Sequence, residues 1–241
     1  MFLALDTSTR YAGVALANED RVVASHSWHS TYNHTTELMP AVVHILDHAG
    51  ITAAELDGVV VALGPGGFSA LRVGISAAKG LALVARKPIV GVGTLDLEAY
   101  PYIGSGMQVC ALLEAGREEC AAALFGPDGS RVQEDKVFTA DQLVAEVTGP
   151  TIFCGEGVTA WQDQISAALG SEAQIVKSVP ASRVWALAAI GREKLAAGEV
   201  DDLTILQPVY LRMPSIGVPK QRDRVPQGGR LGHRPNRQAA T

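Results

Sequence analysis

The chain has 241 residues, of which 47% are hydrophobic, 19% charged and 5% aromatic, with a formal net charge of −5. This length and composition favour a globular protein with one large domain or two small ones and exclude a disordered chain. A carboxylate at the sixth residue argues against a signal peptide, and we expect no run of 18 apolar residues able to span a membrane. Three well-separated cysteines favour a reducing cytoplasm, so we predict a cytoplasmic protein that contacts no membrane.

The first hundred residues alternate between strand and helix patterns. Three short apolar segments separated by tight turns predict an antiparallel meander, and a helical period then ends at Gly50, with Pro40 expected in the first turn. A continuous β-branched run predicts a strand that is buried on both faces. In chain order, the predicted strands and helices cover residues 2–6, 13–17, 21–27, 36–49 (helix), 58–63, 69–85 (helix), 88–92 and 95–99 (helix).

A weaker copy of the same order follows in the second half. Its predicted strands cover residues 109–113, 121–125, 131–138 and 151–154, and its predicted helices cover 139–147, 159–169 and 182–197. Two successive β-β-β-α-β-α units predict an internally duplicated α/β fold with two mixed-sheet lobes flanked by helices. We expect a first lobe over residues 1–104 and a smaller second lobe over 105–216.

The end of the chain differs from the rest in charge. Residues 219–241 hold six basic side chains against one aspartate, a net charge of +5, so the other 218 residues carry −10. A basic segment rich in glycine and proline predicts a disordered tail over 217–241. Such a tail either contacts RNA phosphates or is solvated and contacts nothing specific.

A glycine-rich loop lies between the buried strand at 58–63 and the long helix. Backbone N–H groups and a helix N-terminus at this place favour an anion such as phosphate. The loop lacks the third glycine of a dinucleotide fingerprint and the lysine of a P-loop, so glycines that only allow a sharp turn explain it as well. The candidate anion- or nucleotide-binding residues in this loop and after the first strand are Asp6, Thr7, Ser8, Gly64, Gly66, Gly67 and Ser69.

Two further features suggest metal chemistry only weakly. Asp6 ends the first strand, where a carboxylate orients a metal or phosphate-bound water or instead caps the following turn. His44 and His48 are four residues apart on a helix, but the sequence has no glutamate of an H-E-x-x-H motif and no third ligand nearby. We therefore expect no metal site on this chain and no metalloprotease activity.

The two helices of the first lobe are more apolar than a helix on one side of a sheet requires. In the helix over 69–85, Arg72 and Lys79 fall on one narrow stripe, and apolar side chains face the other directions. Gly74 and Gly80 each cost roughly 1 kcal/mol against alanine, which predicts a close approach of another backbone. Either the two helices cover each other within the domain, or they form an interface of about 800 Å² with a partner.

These motifs together resemble those of the TsaB (YeaZ) family. Residues 6–9 and 13–16 are similar to the opening of that family, and residues 34–40 (HTTELMP) to its helix start H-S-E-x-L-x-P. Residues 64–74 (GPGGFSALRVG) resemble its loop G-P-G-S-F-T-G-L-R-I-G, with departures at Gly67, Ser69 and Ala70. Further similarity at 78–82, 91–92 and 208–212 extends the resemblance to residue 212, while EAGR at 114–117 replaces D-A-R-R.

The resemblance implies a fold of the actin/Hsp70/sugar-kinase (ASKHA) type and a role in bacterial tRNA threonylcarbamoyladenosine biosynthesis. The family supports the catalytic paralogue TsaD, with the ATPase TsaE as a third subunit, in modifying the adenosine beside the anticodon of tRNAs that read codons beginning with A. TsaD carries an H-x-x-x-H metal pair where this chain has Thr94 and Glu98. The resemblance therefore implies a non-catalytic chain that requires no cofactor, with ATP or ADP and a divalent metal on partner subunits.

The resemblance also implies how the chain assembles. The two N-terminal helices would bind TsaD, or a second copy when the protein is alone, and tRNA would be contacted indirectly or through the basic tail. An alternative is a nucleotide-binding, kinase-like phosphotransferase of the same fold that uses Asp6 and the glycine-rich loop. The candidate partner-interface residues are Leu38, Val42, Ile45, Leu71, Ile75, Ala78 and Ala82.

Overall fold

Each half of the chain forms a five-stranded mixed sheet in the computed structural model, which describes residues 1–212. The first half contains β1 (Phe2–Asp6), β2 (Tyr11–Ala17), β3 (Val22–His29), α1 (His34–Ala49), β4 (Gly58–Gly64), α2 (Phe68–Ala85), β5 (Ile89–Gly93) and α3 (Thr94–Ala99). The second half contains β6 (Gln108–Gly116), β7 (Glu119–Phe125), β8 (Lys136–Phe138), α4 (Ala140–Glu146), β9 (Thr151–Cys154), α5 (Val158–Leu169), β10 (Ala173–Ile175) and α6 (Arg183–Ala197). The predicted tail over 217–241 and its RNA contact lie outside the described residues.

The two sheets have the same strand order. It is β3-β2-β1-β4-β5 in the first sheet and β8-β7-β6-β9-β10 in the second. In both sheets the first two strands of the unit pair antiparallel, and the first and fourth pair parallel. The predicted duplication of a β-β-β-α-β-α unit is therefore confirmed.

Three local predictions differ from the structure. The strand predicted over 131–138 is reduced to three residues, and the short edge strand β10, which has no apolar run, was not predicted. Helix α1 begins at His34, so Pro40 lies in its second turn and not its first. The proline is tolerated because Thr36, whose carbonyl loses its helical donor, is exposed and reaches water.

The first sheet is covered on both faces by helices. Side chains alternate along β1, so that Leu3 and Leu5 pack with α1 and α2, whereas Phe2 and Ala4 pack with α6. The burial of β4 on both faces is confirmed by the same alternation along that strand. The first lobe thus has three layers, with α1 and α2 side by side on one face.

The seven side chains predicted for a partner interface lie in this core instead. Each of them is at most 4% exposed: Leu38, Val42, Ile45, Leu71, Ile75, Ala78 and Ala82. Their assignment to an interface is wrong, because each helix turns its most apolar stripe toward its own sheet. The alternative, that these residues are covered within their own domain, is correct for this stripe. Other faces of both helices remain exposed.

Helix α2 is long and apolar enough to cross a membrane, judged by length and composition alone. It has 18 residues with a mean hydropathy of 1.4, but Arg72 and Lys79 lie within it, so it is not the uninterrupted run of 18 apolar residues that we expect to be missing. In the fold, the helix lies against the first sheet with Leu71 and Ile75 buried in the core. Some apolar residues of α2 cover the first sheet, and others are exposed on the side of the helix that faces away from it.

Helix α6 and the segment after it return to the first lobe. Val184 and Leu187 pack against the first sheet. Farther along, Asp201 N donates to Ile89 O at 2.9 Å, and Val209 N donates to Leu63 O at 2.8 Å. The prediction that residues 183–209 belong to the second lobe is therefore wrong, since sequence order does not specify which sheet a helix covers, whereas Leu211 and Arg212 do contact the second lobe.

Helix α3 lies between the two lobes. Its Leu97 packs in the first lobe with α6, whereas Leu95 and Ala99 pack on the second sheet. The opposite face of the second sheet is covered by α4 and α5. Side chains on α3 can therefore reach both lobes at the cleft between them.

Candidate functional site

The turn after β1 lies directly against the glycine-rich loop after β4. Gly67 N donates to Ser8 O at 2.8 Å, and a Cβ at Gly66 would lie less than 3.0 Å from the same carbonyl oxygen. Thr7 Oγ1 donates to Ala70 O at 2.7 Å, and a Cβ at Gly74 would be too close to that hydroxyl. Gly66 and Gly74 are therefore required by packing, but the backbone approach predicted at Gly74 is wrong, because the neighbouring atoms belong to the Thr7 side chain.

A cleft of about 740 Å³ opens between the lobes beside this contact. Four of the predicted anion-binding residues line it: Ser8, Gly66, Gly67 and Ser69. The second lobe contributes Leu113, Glu114 and Glu156 to the opposite wall. Binding of an anion or nucleotide in this cleft remains a prediction.

Asp6 is bonded within the chain through both carboxylate oxygens. Oδ1 accepts from Ser8 N at 2.8 Å and from Ser8 Oγ at 2.6 Å, while Oδ2 accepts from Arg183 Nε at 2.8 Å. The interpretation of Asp6 as the cap of its turn is confirmed. Its pairing with a guanidinium leaves it poorly suited to orient a metal or a phosphate-bound water.

Arg183, the first residue of α6, is the central side chain of the site. It is only 1% exposed. Besides Asp6, its Nη1 donates to Glu98 Oε1 at 3.1 Å and to Glu156 Oε1. Its Nη2 donates to Thr9 Oγ1 at 2.8 Å and to a backbone carbonyl at 2.6 Å. We call Arg183, Asp6, Glu98 and Glu156 the Arg183 cluster.

Burial and charge act in opposite directions on the groups of the Arg183 cluster. Burial alone would lower the pKa of Arg183, but the charges of Asp6, Glu98 and Glu156 outweigh it and raise that pKa. Burial raises the pKa of Glu98 above its ordinary value of 4.5, and the nearby guanidinium offsets only part of this effect. The guanidinium is therefore permanently charged, whereas Glu98 binds a proton more readily when the chain is folded.

Thr94 and Glu98, the residues where the family resemblance led us to look for metal ligands, do not suit a divalent ion. Glu98 is bonded to Arg183, and Thr94 Oγ1 is buried without a hydrogen-bond partner. A guanidinium among the carboxylates repels a second cation at close range. A single carboxylate and a hydroxyl beside this positive charge therefore do not fit the metal.

His44 and His48 lie on the exposed side of α1. The ring of His44 has a neighbour in His26 on β3, with ring centroids 6.4 Å apart. Within residues 1–212, no three potential metal ligands among His, Cys, Asp and Glu form a group able to hold an ion. The helix position of the pair is that of the polar face of an amphipathic helix.

The sides of α1 and α2 that face away from the sheet carry exposed apolar residues. Met39 and Val43 on α1 are 41% and 51% exposed, and Leu83 and Val84 on α2 are 66% and 78% exposed. A Cβ at Gly80, on the same side of α2, would meet nothing within 4 Å. We call these five residues the outer helix face, which the first lobe itself leaves uncovered.

Replacement of Glu98 by glutamine is expected to change the pH dependence of stability. Because the folded-state pKa of Glu98 is raised, its contribution to stability is present at low pH and is lost as pH rises from 4.5 through the folded-state value. Arg183, Glu156 and Asp6 face this carboxyl. The free energy of unfolding of the wild type should therefore fall relative to Glu98→Gln as pH rises, measured by urea unfolding.

The matched control for this experiment is Glu146→Gln, which removes one carboxylate from the exposed surface of α4. Parallel pH profiles for the wild type and Glu98→Gln would show that Glu98 does not titrate differently in the folded chain.

Sequence reasoning did not identify Arg183, Glu156 or the role of Thr9. Thr9 Oγ1 accepts from Arg183 and donates to Glu156 Oε1 at 2.7 Å, so it lies at the junction of the lobes. One signal was present in the sequence: Arg183 begins a helix, where the macrodipole disfavours a cation, and is followed by uncharged residues up to Gly191. A cation in that position indicates a specific anionic partner.

Comparison with known proteins places this fold in one class. The family model described as "TsaD: tRNA N6-adenosine threonylcarbamoyltransferase" matches residues 28–212. "YeaZ from Pseudomonas aeruginosa" superimposes with a TM-score of 0.72 at 25% identity, covering 87% of this chain and 99% of that one. The protein is thus a two-lobed α/β chain of the TsaD-like class that includes YeaZ.

Two relatives of nearly equal length define the family more closely. The tRNA threonylcarbamoyladenosine biosynthesis protein TsaB of Bacillus subtilis (strain 168) is 31% identical over 218 residues, covering 88% of this chain and 93% of the relative. The protein of the same name from Escherichia coli (strain K12) is 30% identical over 224 residues, covering 87% and 94%. The chain belongs to the TsaB family of tRNA threonylcarbamoyladenosine biosynthesis proteins.

Proposed function

We propose that this chain is the non-catalytic partner subunit of a bacterial complex that forms N6-threonylcarbamoyladenosine in tRNA, and that it binds and supports the catalytic paralogue TsaD. The observation that carries the proposal is the outer helix face, because it leaves apolar side chains of two adjacent helices exposed on a chain of the TsaB family. Large exposed apolar patches indicate protein interaction sites.

The energetics of the outer helix face support a partner. Burying Leu83 or Val84 fully would contribute about 1.5–3 kcal/mol for each side chain. Gly80 costs about 1 kcal/mol within a helix and has no contact inside the chain that explains it. A glycine at this point allows a partner helix to approach α2 closely.

The Arg183 cluster supports the non-catalytic part of the proposal. Asp6 and Glu98, the two carboxylates considered from the sequence for metal or phosphate chemistry, are both paired with Arg183. Chemistry on a metal or a phosphate requires donors that are free to bind it. The alternative of a kinase-like phosphotransferase would use Asp6, whose two oxygens are already bonded.

The proposed assembly includes further subunits. TsaE joins the TsaD complex, ATP or ADP and a divalent metal bind to the partner subunits, and this chain requires no cofactor of its own. In the absence of TsaD, the same outer helix face pairs two copies of this chain. Contact with tRNA is indirect or involves residues 217–241, and the reaction takes place in the cytoplasm.

The outer helix face is tested by placing a charge on each helix. Val43→Glu and Val84→Glu change side chains that are exposed in the isolated chain, so each should alter the free energy of unfolding by less than about 0.5 kcal/mol. Combined, they should abolish binding to TsaD in sedimentation experiments and formation of modified tRNA in a reconstituted reaction. Self-association should be lost with them.

Val132→Glu provides a matched control, since Val132 is 55% exposed and lies in the second lobe. It should leave TsaD binding and tRNA modification unchanged. Unimpaired TsaD binding by the Val43→Glu/Val84→Glu variant would contradict the assignment of the interface, and tRNA modification that proceeds equally without this chain would contradict the proposed function.

A further inference from the structure

Three carboxylates from separate elements converge at the junction of the lobes. Asp6 ends β1, Glu98 lies on α3, and Glu156 follows β9 in the second lobe. All three are within hydrogen-bond distance of one guanidinium, that of Arg183. Carboxylates removed from water in this way require a compensating positive charge.

The hydrogen bonds of the guanidinium use N–H donors on all three of its nitrogen atoms. Its Nε binds Asp6 of the first lobe, and its Nη1 binds Glu98 of the first lobe and Glu156 of the second. Its Nη2 donates to Thr9 Oγ1, which itself donates to Glu156. One side chain thus connects four elements, and arginine is the side chain best suited to such multidentate pairing.

A rigid element holds the guanidinium in position. Arg183 is followed on α6 by Val184 and Leu187, which are buried against the first sheet. The helix macrodipole disfavours a cation at the first position of α6, so the carboxylates must outweigh that cost. The position of Arg183 is therefore explained by its carboxylate partners and not by a preference of arginine for the start of a helix.

We propose that Arg183 takes the place of a bound cation between the lobes. Its guanidinium supplies the positive charge that joins the carboxylates of the two lobes, a charge that a bound metal ion would otherwise have to supply. The lobes are then held in one arrangement without any ligand. The outer helix face lies on the first lobe, which supplies Asp6 and Glu98 to this cluster, so a partner meets a surface that forms without nucleotide or metal.

The inference is tested by removing the cation and replacing it from solution. Arg183→Ala should lower the Tm by about 10 °C, because it leaves three carboxylates without their partner. Millimolar guanidinium chloride, or calcium chloride in a separate series, should recover part of that loss in a saturable manner. The wild type should show no such gain.

Arg192→Ala is the matched control on the same helix, since the Arg192 side chain is half-buried and its hydrogen bond, at 3.4 Å, is to a backbone oxygen and not to a carboxylate. It should produce neither the loss nor the recovery. A Tm of Arg183→Ala equal to that of the wild type would overturn the inference, and so would a lowered Tm that neither cation changes.

A second variant tests the connection between lobes if Arg183→Ala does not fold. Glu156→Gln changes a partly exposed carboxylate and leaves both first-lobe partners of Arg183 in place. Amide hydrogen exchange should then become severalfold faster in residues 9–11 and 155–158, on the two sides of the junction, and remain unchanged in β4. Unchanged exchange at both sides of the junction would refute the proposal.

Discussion

Ile75→Arg should unfold the first lobe and not merely detach a partner. Ile75 is buried between α2 and the first sheet, where the charged side chain would find no anionic partner. An uncompensated buried charge costs on the order of 3–5 kcal/mol, a large part of the 5–15 kcal/mol that stabilises a typical domain. Thermal unfolding followed by circular dichroism should show a strongly lowered Tm or no cooperative transition.

The next residue along the helix gives a matched control for this substitution. Ser76 is exposed on α2, so Ser76→Arg should change stability by less than about 0.5 kcal/mol. It lies on the same side of the helix as Gly80 and should still weaken binding to TsaD. If Ile75→Arg folded normally and lost only TsaD binding, Ile75 would be an interface residue after all.

Gly66→Ala should destabilise the chain by about 3 kcal/mol. The added Cβ would overlap the Ser8 carbonyl, which belongs to the backbone and cannot rotate away as a side chain would. Relieving the overlap requires the turn after β1 and the glycine-rich loop to separate, which breaks the bond from Gly67 N to Ser8 O. Denaturant unfolding measures the loss.

Gly80→Ala is the matched control, because a Cβ at Gly80 meets nothing within 4 Å. It should raise the free energy of unfolding by up to about 1 kcal/mol, the difference in helix propensity between glycine and alanine. Equal effects of the two substitutions would mean that the loop does not pack on the turn as described.

Patterns between near neighbours in the chain were predictable from the sequence. The apolar run of β1 and the β-branched run of β4 reflect burial of both sheet faces, and repetition of the element order indicated two lobes. The similarity of residues 64–74 to a family loop indicated the family from the sequence alone. These signals are local because they depend on backbone period and turn chemistry.

Which side of a helix faces its own sheet was only partly determined by the sequence. Both α1 and α2 carry more apolar residues than one stripe needs, so Ile75 and Val84 are equally apolar candidates for an interface. Tertiary packing buries Ile75 and leaves Val84 exposed. The sequence therefore identified two unusually apolar helices, and only the structure distinguished their inner stripe from the outer helix face.

The sequence by itself determined the duplicated α/β fold, the family and the two unusually apolar helices, because each follows from residues close together in the chain. Only the tertiary structure decided that α6 covers the first sheet and that Arg183 meets Asp6, 177 residues away in sequence. The physical reason is that an ion pair of this kind leaves no periodic pattern, since its partners are brought together by the packing of entire helices and sheets.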